Sequence, residues 1–171
     1  PETAVSHPGA IWVIGDPAGP ELHTHQGHYQ GELAVRMALG EPIVPDYRAL
    51  PRATYTDPEA SSVGLTLEGA KEAGIDAFEL VADFAKSSRG YALQSTFGHV
   101  TIVVDRATRE LVGAAMACPA ASAAIHECLL ALQARFPAPV LAPTIPAFPS
   151  PPPTPHPPPP LPHTAPPRAA P

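Results

Sequence analysis

The sequence predicts an α+β fold in which an antiparallel sheet packs against helices on one face. Two apolar segments, Val100–Asp105 and Leu111–Met116, flank the polar stretch Arg106–Glu110. This pattern is typical of two strands joined by a turn. A third apolar segment, Ala120–Leu132, is long enough for a helix. It follows the second strand directly, so it can cover the sheet.

The amino-terminal part of the chain predicts one strand followed by one helix. The apolar run Ala10–Ile14 is rich in β-branched and aromatic residues, which indicates a buried strand. Gly15 allows a tight exit from that strand and places Asp16 at its carboxyl end. The segment Thr24–Leu39 has apolar residues on one helical stripe and ends at Gly40, a common helix terminator.

The middle of the chain predicts two further strands and a short helix after a linker, Glu41–Leu50. The alternating segment Ala53–Thr56 indicates a strand. The segment Thr66–Ala73 is predicted to be a helix, because threonine suits the N-cap position and Gly74 suits the carboxyl-terminal end. Ala77–Ala82 is predicted to be a strand.

The carboxyl-terminal segment is distinguished by its proline content. Residues 137–171 hold 17 of the 26 prolines in this chain of 171 residues. Proline lacks the amide hydrogen that helices and sheets need. We therefore expect residues 137–171 to be a disordered Pro-rich tail without regular structure, and residues 1–136 remain enough for a sizeable core.

Charge, hydropathy and cysteine content argue against several classes of partner. The net charge is −6 and no basic cluster occurs, which argues against nucleic acid or an anionic membrane as a partner. The sequence shows neither a signal peptide nor an apolar run of membrane-spanning length, so we expect a cytoplasmic location. Cys118 and Cys128 are too few for a disulfide framework and are expected to be packing residues.

Asp16 is the first candidate site residue. A carboxylate at the end of a strand can accept hydrogen bonds from the hydroxyl groups of a sugar or sugar alcohol. The free amides at the start of the following helix can face an electron-rich or anionic group. The alternative is that Asp16 only caps a turn.

Three histidines near the start of the predicted helix raise the question of a metal ion. His25 and His28 would share one helix face at i, i+3 spacing, with His23 nearby. No cysteine or carboxylate stands at a ligand-like spacing beside them. We therefore predict no metal site, and a solvent-facing or cofactor-facing role for these side chains.

Three segments give the chain a family resemblance. They are IWVIGDPAGPELHTHQGHYQGELAVRMALG, PRATYTDPEASSVGLT and VTIVVDRATRELVGAAM. Together, over roughly residues 9–133, they resemble the pyridine nucleotide-disulfide oxidoreductases. The resemblance implies that residues 1–44 are the carboxyl-terminal remnant of an FAD-binding domain. It also implies that residues 51–136 are a dimerisation domain that forms a twofold homodimer.

The resemblance also implies roles for residues around the start of the predicted helix. Asp16 would hydrogen-bond the ribityl chain of FAD. The backbone amides around Leu22, His23 and Thr24 would face the pyrimidine end of the flavin ring, where a helix dipole stabilises negative charge. His25 would be a helix-start residue of the same site. FAD is therefore the expected cofactor, and NAD(P)H would serve only the parent enzyme.

The family's other cofactor and redox motifs are absent from this sequence. It has no G-x-G-x-x-G segment to hold the adenosine half of FAD, no close-spaced redox cysteine pair and no NAD(P)H-binding βαβ unit. We therefore expect a carboxyl-terminal fragment of an FAD-dependent NAD(P)H oxidoreductase that is inactive alone. The parent enzyme's substrate, whether a disulfide, a metal ion or a quinone, is left open.

The segment Thr144–Pro153 corresponds to the family's acid-base motif, T-I-H-x-H-P-T-x-x-E. Pro146 stands in place of the first histidine, Phe148 in place of the catalytic histidine and Pro153 in place of the glutamate. Neither phenylalanine nor proline can transfer a proton. The resemblance therefore implies no catalytic residue in this chain.

Two interpretations of the tail remain open. The family-like spacing ends after Ile145, which is what a reading-frame disruption in a GC-rich gene would produce. Alternatively, Pro149–Pro160 is a functional segment that adopts polyproline II and docks in an aromatic-lined groove of a partner domain. The alternative function for the whole chain is a stand-alone dimerisation or scaffold module that pairs with an intact family member.

Overall fold

The computed structural model describes residues 11–19, 21–141, 143–144 and 147–149. The strands are β1 (Pro51–Thr54), β2 (Ala60–Gly64), β3 (Ala77–Asp83), β4 (His99–Asp105) and β5 (Leu111–Ala117). The helices are α1 (Thr24–Ala38), α2 (Leu67–Glu72), α3 (Ser88–Ala92), α4 (Ala121–Gln133) and α5 (Ala138–Leu141). Short 3-10 turns cover Asp16–Ala18 and Phe84–Lys86.

The five strands form one antiparallel sheet in the order β1-β2-β5-β4-β3. Its centre is the β4–β5 hairpin, in which Thr101 pairs with Ala115 and Ile102 with Ala114. On its other side β5 pairs with β2, whose Ser62 lies opposite Ala115. The predicted hairpin and the predicted α+β class are thereby confirmed.

The main core lies between the sheet and α4. The strand residues in this core include Val63, Val100, Ile102, Ala114 and Met116, and α4 contributes Ile125, Cys128, Ala131 and Leu132. Burial of each large apolar side chain contributes roughly 1.5–3 kcal/mol. The packing of α4 on the sheet is therefore the main source of apolar stabilisation.

Both cysteines are buried in this core, as their sequence context predicts. Cys118 is fully buried and Cys128 is 2% exposed, and both are free thiols. Burial raises the pKa of the Cys118 thiol, and it raises the pKa of Cys128 to about 12. Both side chains therefore stay neutral and pack as small hydrophobic groups.

The short helix α2 forms a smaller cluster on the other side of β4. Ala70 of α2 packs with Ala77 and Val103. Val103 lies between Ile102 and Val104 of the main core, and consecutive strand residues point to opposite faces of a sheet. α2 and α4 therefore lie on opposite faces, and the prediction that the helices cover one face is wrong in this detail. The predicted N-cap is confirmed, because the Thr66 hydroxyl accepts a hydrogen bond from the Gly69 amide at 3.0 Å.

Contacts from β2 and the residue before it fix the start of α4. The N-cap residue Ala120 has a left-handed backbone, with φ 60°, and no side-chain cap of its own. Instead, Glu59 Oε2 accepts a hydrogen bond from the Ser122 amide at 2.9 Å. The buried Ser61 hydroxyl donates to the Ala121 carbonyl at 2.8 Å. The helix start is thus capped from a neighbouring strand.

The predicted strand Ala10–Ile14 is wrong for the residues that the structure describes. Residues 11–14 form no strand, and Ile11 is 92% exposed. A buried parallel strand needs strands at its edges and helices on its faces. Within the described part of the chain, no strand pairs with residues 11–14. The helix predicted next to it is confirmed as α1.

Three elements differ from what the sequence pattern indicates. β1 begins at Pro51 rather than Ala53. The pattern does not indicate β2, because its two serines interrupt the apolar alternation. The buried serine, Ser61, is accommodated through its hydrogen bond to α4. It does not indicate α3 either, because that helix has only five residues. A cap starts α3: the Ser87 hydroxyl accepts a hydrogen bond from the Gly90 amide at 3.0 Å.

The prediction that regular structure ends before residue 137 is also wrong. Pro137 forms a bridge with Glu110, and α5 follows at once. Pro139 is tolerated there because it lies in the first turn of a helix, where its missing amide hydrogen is not needed. Residues 150–171 lie outside the described residues, so the disorder of the tail stays a prediction.

Candidate functional site

Two glutamines of α1 hold the loop that precedes it. Gln30 accepts a hydrogen bond from the Gly15 amide at 2.7 Å and donates to the Gly19 carbonyl at 3.2 Å. Gln26 donates to the same carbonyl. Both glutamines are buried, so these hydrogen bonds are shielded from water and give the loop a defined path beside the helix.

Asp16 lies in the 3-10 turn of this loop and is exposed. Within residues 11–19 and 21–141, no group forms a hydrogen bond or an ion pair with its carboxylate. A Cβ atom placed on Gly15 or Gly19 meets no atom within 4 Å. The loop therefore presents a solvated carboxylate beside open space.

The first turn of α1 has no side-chain cap. Its N-cap residue is His23, whose side chain makes no capping hydrogen bond. The Gly27 amide donates to the His23 carbonyl at 3.2 Å. The amides of Thr24 and His25 precede that bond, at the partially positive end of a helix of 15 residues. This turn is suited to receive hydrogen-bond acceptors or negative charge.

The histidines of this turn contact each other and β1. The rings of His23 and His25 are stacked, with centroids 5.0 Å apart and an interplanar angle of 12°. His25 Nε2 lies 2.8 Å from the Pro51 carbonyl oxygen. The start of α1 is therefore in direct contact with the start of β1.

Glu21 makes the second connection to β1. Its carboxylate forms an ion pair with Arg52, in which Nε and Oε2 are 2.8 Å apart, and it lies 3.3 Å from His23 Nε2. The hydrogen bond from Arg52 is the largest cause that lowers the pKa of the Glu21 carboxyl, and His23 adds to it. Glu21 is thus a stable anion at this junction.

The linker between α1 and β1 is fixed by hydrogen bonds from α1. The Asp46 amide donates to the Tyr29 hydroxyl at 3.0 Å, and Gln30 donates to the Tyr47 hydroxyl at 3.3 Å. Arg48 binds the Asp46 carboxylate with Nη2 and Oδ2 2.6 Å apart. This hydrogen bond is the largest cause that lowers the pKa of Asp46, to about 2.

A cleft of about 420 Å³ lies between α1, the linker, β1 and α4. Tyrosine rings and imidazoles line it, from Tyr29, Tyr47, Tyr55, His25 and His126. Such a lining suits a flat group with an apolar body and polar edges. The cleft adjoins the first turn of α1 through His25.

The structure brings all five predicted site residues to one junction. Asp16 lies in the loop, His23 is the N-cap of α1, and Thr24 and His25 form its first turn. Leu22 precedes that turn and is 71% exposed. Their roles toward a cofactor stay predictions.

Four further residues of the junction are not indicated by the sequence pattern. Gln26 and Gln30 are buried with Leu33 on one helical stripe. Two glutamines at i, i+4 spacing on an inward stripe are the signal that could have revealed them. Glu21 and Arg52 are 31 positions apart, and no local pattern connects them.

The junction fits a flavin in three respects. The helix start has no side-chain cap, the loop before it exposes the Asp16 carboxylate, and a Cβ atom on Gly15 or Gly19 of that loop would meet no described atom within 4 Å. In addition, Gln26 Oε1 is buried and has no hydrogen-bond partner among the residues that the structure describes. An unmet buried acceptor costs roughly 1–3 kcal/mol, which is typical of a site that a ligand or an ordered water completes.

Comparison with known families shows which family the chain belongs to. The model of the pyridine nucleotide-disulphide oxidoreductase dimerisation domain matches residues 50–154, which is more than half of the chain. The chain belongs to the pyridine nucleotide-disulphide oxidoreductase family. The match includes the whole five-stranded sheet and α4, so the family resemblance of the sequence is confirmed.

Curated members of this family are similar to the chain over most of its length. The dihydrolipoyl dehydrogenase of Geobacillus stearothermophilus is 38% identical over 141 residues, which are 82% of this chain and 30% of that protein. The dihydrolipoyl dehydrogenase of Bacillus subtilis is 35% identical, with the same two shares. The chain therefore spans about 30% of the length of these relatives.

Solved structures of the oxidoreductase family agree with the observed fold. LpdA from Mycobacterium tuberculosis superposes with a TM-score of 0.74 and 27% identity, over 80% of this chain and 30% of that one. The HOCl-induced flavoprotein disulfide reductase RclA from Escherichia coli gives a TM-score of 0.74 and 27% identity, over 82% of this chain and 33% of that one. Both alignments cover a larger share of the chain than residues 50–154.

The family match also includes the segment Thr144–Pro153, because it extends to residue 154. Phe148 is 85% exposed. Pro146 and Pro153 lie outside the described residues. The replacement of the family's acid-base pair by Phe148 and Pro153 therefore stays a prediction.

The described residues offer neither a metal centre nor a membrane-spanning helix. Within the described residues, no group of three or more His, Cys, Asp and Glu side chains is placed to hold a metal ion. In the same part of the chain, every helix is too short or too polar to cross a membrane.

Proposed function

We propose that this chain is the carboxyl-terminal part of an FAD-dependent NAD(P)H oxidoreductase of the pyridine nucleotide-disulphide family. In this proposal residues 51–136 make the contacts of a homodimer, the junction before α1 supplies part of the flavin site, and the chain alone is not catalytic. One observation supports this most directly. A family-matched sheet is joined, through Pro51 and Arg52, to a helix start that has no side-chain cap and that follows the loop of the exposed Asp16.

The chemistry of the junction supports a contact with the central part and the pyrimidine end of FAD. The exposed Asp16 carboxylate can accept hydrogen bonds from ribityl hydroxyl groups. The amides of Thr24 and His25 can donate to the pyrimidine oxygens, and the positive end of α1 stabilises negative charge there. FAD, when bound, would supply the hydride-accepting chemistry. The residues of this chain would bind and orient it.

Exposed apolar side chains support the homodimer. Val81 of β3 is 58% exposed, Tyr91 of α3 86%, Phe97 50% and Leu130 of α4 62%. Burial of such side chains against a second copy would be favourable. The family match to a dimerisation domain gives this proposal its independent support.

The proposed lack of catalysis by the chain alone is supported by three features of its sequence. It has no redox cysteine pair, no nicotinamide-binding unit and no proton-transferring residue at position 148 or 153. Hydride transfer needs flavin and nicotinamide held in register. Proton transfer needs a group that can titrate.

Titration of the 15N-labelled chain with FAD tests the flavin contact. We expect weak binding, with a Kd of about 0.1–1 mM, because missing contacts to adenine and pyrophosphate cost several decades of affinity. Chemical-shift changes should centre on the amides of Thr24 and His25. Asp16→Ala should remove them. Asp76→Ala is the control, because Asp76 is an exposed aspartate in the turn before β3.

Two results of that titration would contradict the proposal. A sub-micromolar Kd would mean that the flavin site is complete in this chain. Unchanged spectra at millimolar FAD, with the fold intact, would mean that the junction does not contact flavin.

Activity and association are measured separately. With FAD in excess, oxidation of NADH or NADPH should not exceed the rate with free flavin, and steady oxidation above it would refute the fragment proposal. Sedimentation equilibrium at about 10–50 μM chain should show a dimer. A strictly monomeric species would refute the proposed homodimer.

A stand-alone dimerisation module that pairs with an intact family member is the second candidate. It is favoured by the family match, which begins at residue 50, after α1. Native mass spectrometry of the chain mixed with G. stearothermophilus dihydrolipoyl dehydrogenase tests it: a mixed dimer is expected for such a module, and a chain that pairs only with itself would contradict this second candidate. Coding DNA upstream with the glycine-rich motif and the redox cysteines would instead favour a piece of a longer enzyme.

We further propose that the protein works in the cytoplasm. The two free cysteines support a reducing compartment. For the tail we propose an altered carboxyl terminus rather than a polyproline ligand. This is supported by Pro146, Phe148 and Pro153, which stand where the family's acid-base motif has two histidines and a glutamate.

A further inference from the structure

Side-chain contacts join the turn before α1 to the first residues of β1. Arg52 pairs with Glu21 through Nε at 2.8 Å and also through Nη2. His25 Nε2 lies 2.8 Å from the Pro51 carbonyl oxygen. His23 stacks on His25 and lies 3.3 Å from Glu21. These five residues form a closed set of contacts, which we call the α1–β1 clamp.

The clamp matters because α1 has few other contacts with the sheet. Among the described residues, α1 packs extensively against no strand and no other helix. Its buried residues are Gln26, Gln30 and Leu33, and both glutamines hold the amino-terminal loop. Tyr29 adds a hydrogen bond to the linker. A helix with so few attachments can pivot unless its first turn is fixed.

We propose that Glu21 and Arg52 are positioning residues for the flavin site. By holding the first turn of α1 against β1, they fix the direction of the amides of Thr24 and His25. This inference rests on the proposed function. The Glu21–Arg52 pair would make the sheet and the first turn of α1 one rigid unit. Arg52 of β1 would then control the geometry of the flavin site without contacting the flavin.

The chemistry of the pair suits this role. A guanidinium is planar and can donate two parallel hydrogen bonds to one carboxylate, which defines an orientation as well as a distance. The side chains of Arg52 and Glu21 are 44% and 21% exposed, so solvent screens their attraction and the pair adds little to global stability. Its loss should therefore act locally, on the turn that it holds.

Hydrogen exchange of the full chain, measured by mass spectrometry without flavin, tests the clamp. Arg52→Gln removes the charge and the guanidinium group that makes both hydrogen bonds to Glu21. We expect the hydrogen-bonded amides of residues 27–30 to exchange about 3- to 10-fold faster, with residues 100–116 unchanged. Arg36→Gln is the matched control, because Arg36 pairs with Glu41 and Glu32 away from the clamp. Unchanged exchange in the Arg52→Gln variant overturns the inference.

A double-mutant comparison tests whether the two residues act as a pair. Glu21→Gln breaks the same contact as Arg52→Gln, so the double variant should exchange no faster than the faster single variant. If the increases in exchange rate of the two single variants multiply in the double variant, the two side chains act separately. This result would overturn their pairing.

Flavin affinity tests the positioning role itself. In the FAD titration, Arg52→Gln should weaken Kd about 3- to 10-fold, and Arg52→Lys should restore only part of the loss because an ammonium cannot form the parallel pair. Arg36→Gln should leave Kd unchanged. Faster exchange with an unchanged Kd overturns the role toward flavin. A wild-type chain that binds no FAD contradicts the proposed function instead, while hydrogen exchange still decides on the clamp.

Discussion

Replacement of Gly113 by alanine should destabilise the sheet at its centre. Gly113 pairs with Gly64 between β5 and β2. A Cβ atom at position 113 would lie 1.8 Å from the carbonyl oxygen of Leu65 and 2.9 Å from its amide nitrogen. Backbone atoms cannot rotate away as a side chain can. The two segments would have to separate by more than about 1 Å.

Two effects set the size of the loss. Separation weakens the hydrogen bond from the Leu65 amide to the Val112 carbonyl, now 2.9 Å long, which contributes about 1 kcal/mol. It also forces shifts in the adjoining core, where overpacking costs about 1–3 kcal/mol. We expect the free energy of unfolding to fall by about 2–4 kcal/mol, a large share of the roughly 5–15 kcal/mol of an ordinary domain.

Urea unfolding followed by circular dichroism measures this loss. With a slope of about 2 kcal/mol per molar urea, the midpoint should fall by about 1–2 M. Protein concentration must be constant, because dimer dissociation shifts the midpoint.

Gly31→Ala is the matched control for this experiment. A Cβ atom there lies 3.5 Å from Ile14 Cδ1, an ordinary contact, and alanine favours a helix over glycine by roughly 0.5–1 kcal/mol. Its midpoint should rise slightly. If Gly113→Ala unfolds within about 0.3 M of the wild type, the argument from close backbone approach is wrong.

Three further predictions concern burial and charge. Ser61→Ala should lower the free energy of unfolding by about 1 kcal/mol, because it removes a buried hydrogen bond to α4. The control Ser62→Ala should change it by less than about 0.5 kcal/mol. Equal losses of stability for the two variants in thermal melts would contradict this prediction. The pKa of Asp46 is lowered to about 2, so its stabilisation is present above about pH 4 and is lost as the pH falls toward 2. Screening keeps it below about 1 kcal/mol, and Asp46→Asn should flatten the stability curve in that window. A thiol reagent at pH 8 should label neither Cys118 nor Cys128 before unfolding and both afterwards, since both are buried; one fast equivalent would disprove it.

Several elements of the fold can be predicted from local sequence pattern alone. The hairpin around Arg106–Glu110, the helix α4 and the Thr66 cap each depend on residues only a few positions apart. For such elements hydrophobic period and capping chemistry are sufficient signals. This is why the sequence predicts them with nearly the observed bounds.

The candidate site was predictable only in part. Asp16 and the turn at His23–His25 follow from a loop-to-helix pattern and from family resemblance. Arg52 and Glu21, which hold that turn, are 31 positions apart, and Ser61 bonds to a residue 60 positions away. Contacts at such separations depend on the path of the whole chain, so no window of sequence encodes them.

By itself the sequence determined the α+β class, the central hairpin with its covering helix, the buried thiols and the family. The tertiary structure alone decided that residues 11–14 form no strand, that a serine-containing segment enters the sheet as β2, and that α1 is held against β1 by an ion pair. The physical reason is the same in each case. The period of apolar side chains along the sequence indicates which face of a segment can be buried. The neighbouring elements available in space decide whether that face is buried.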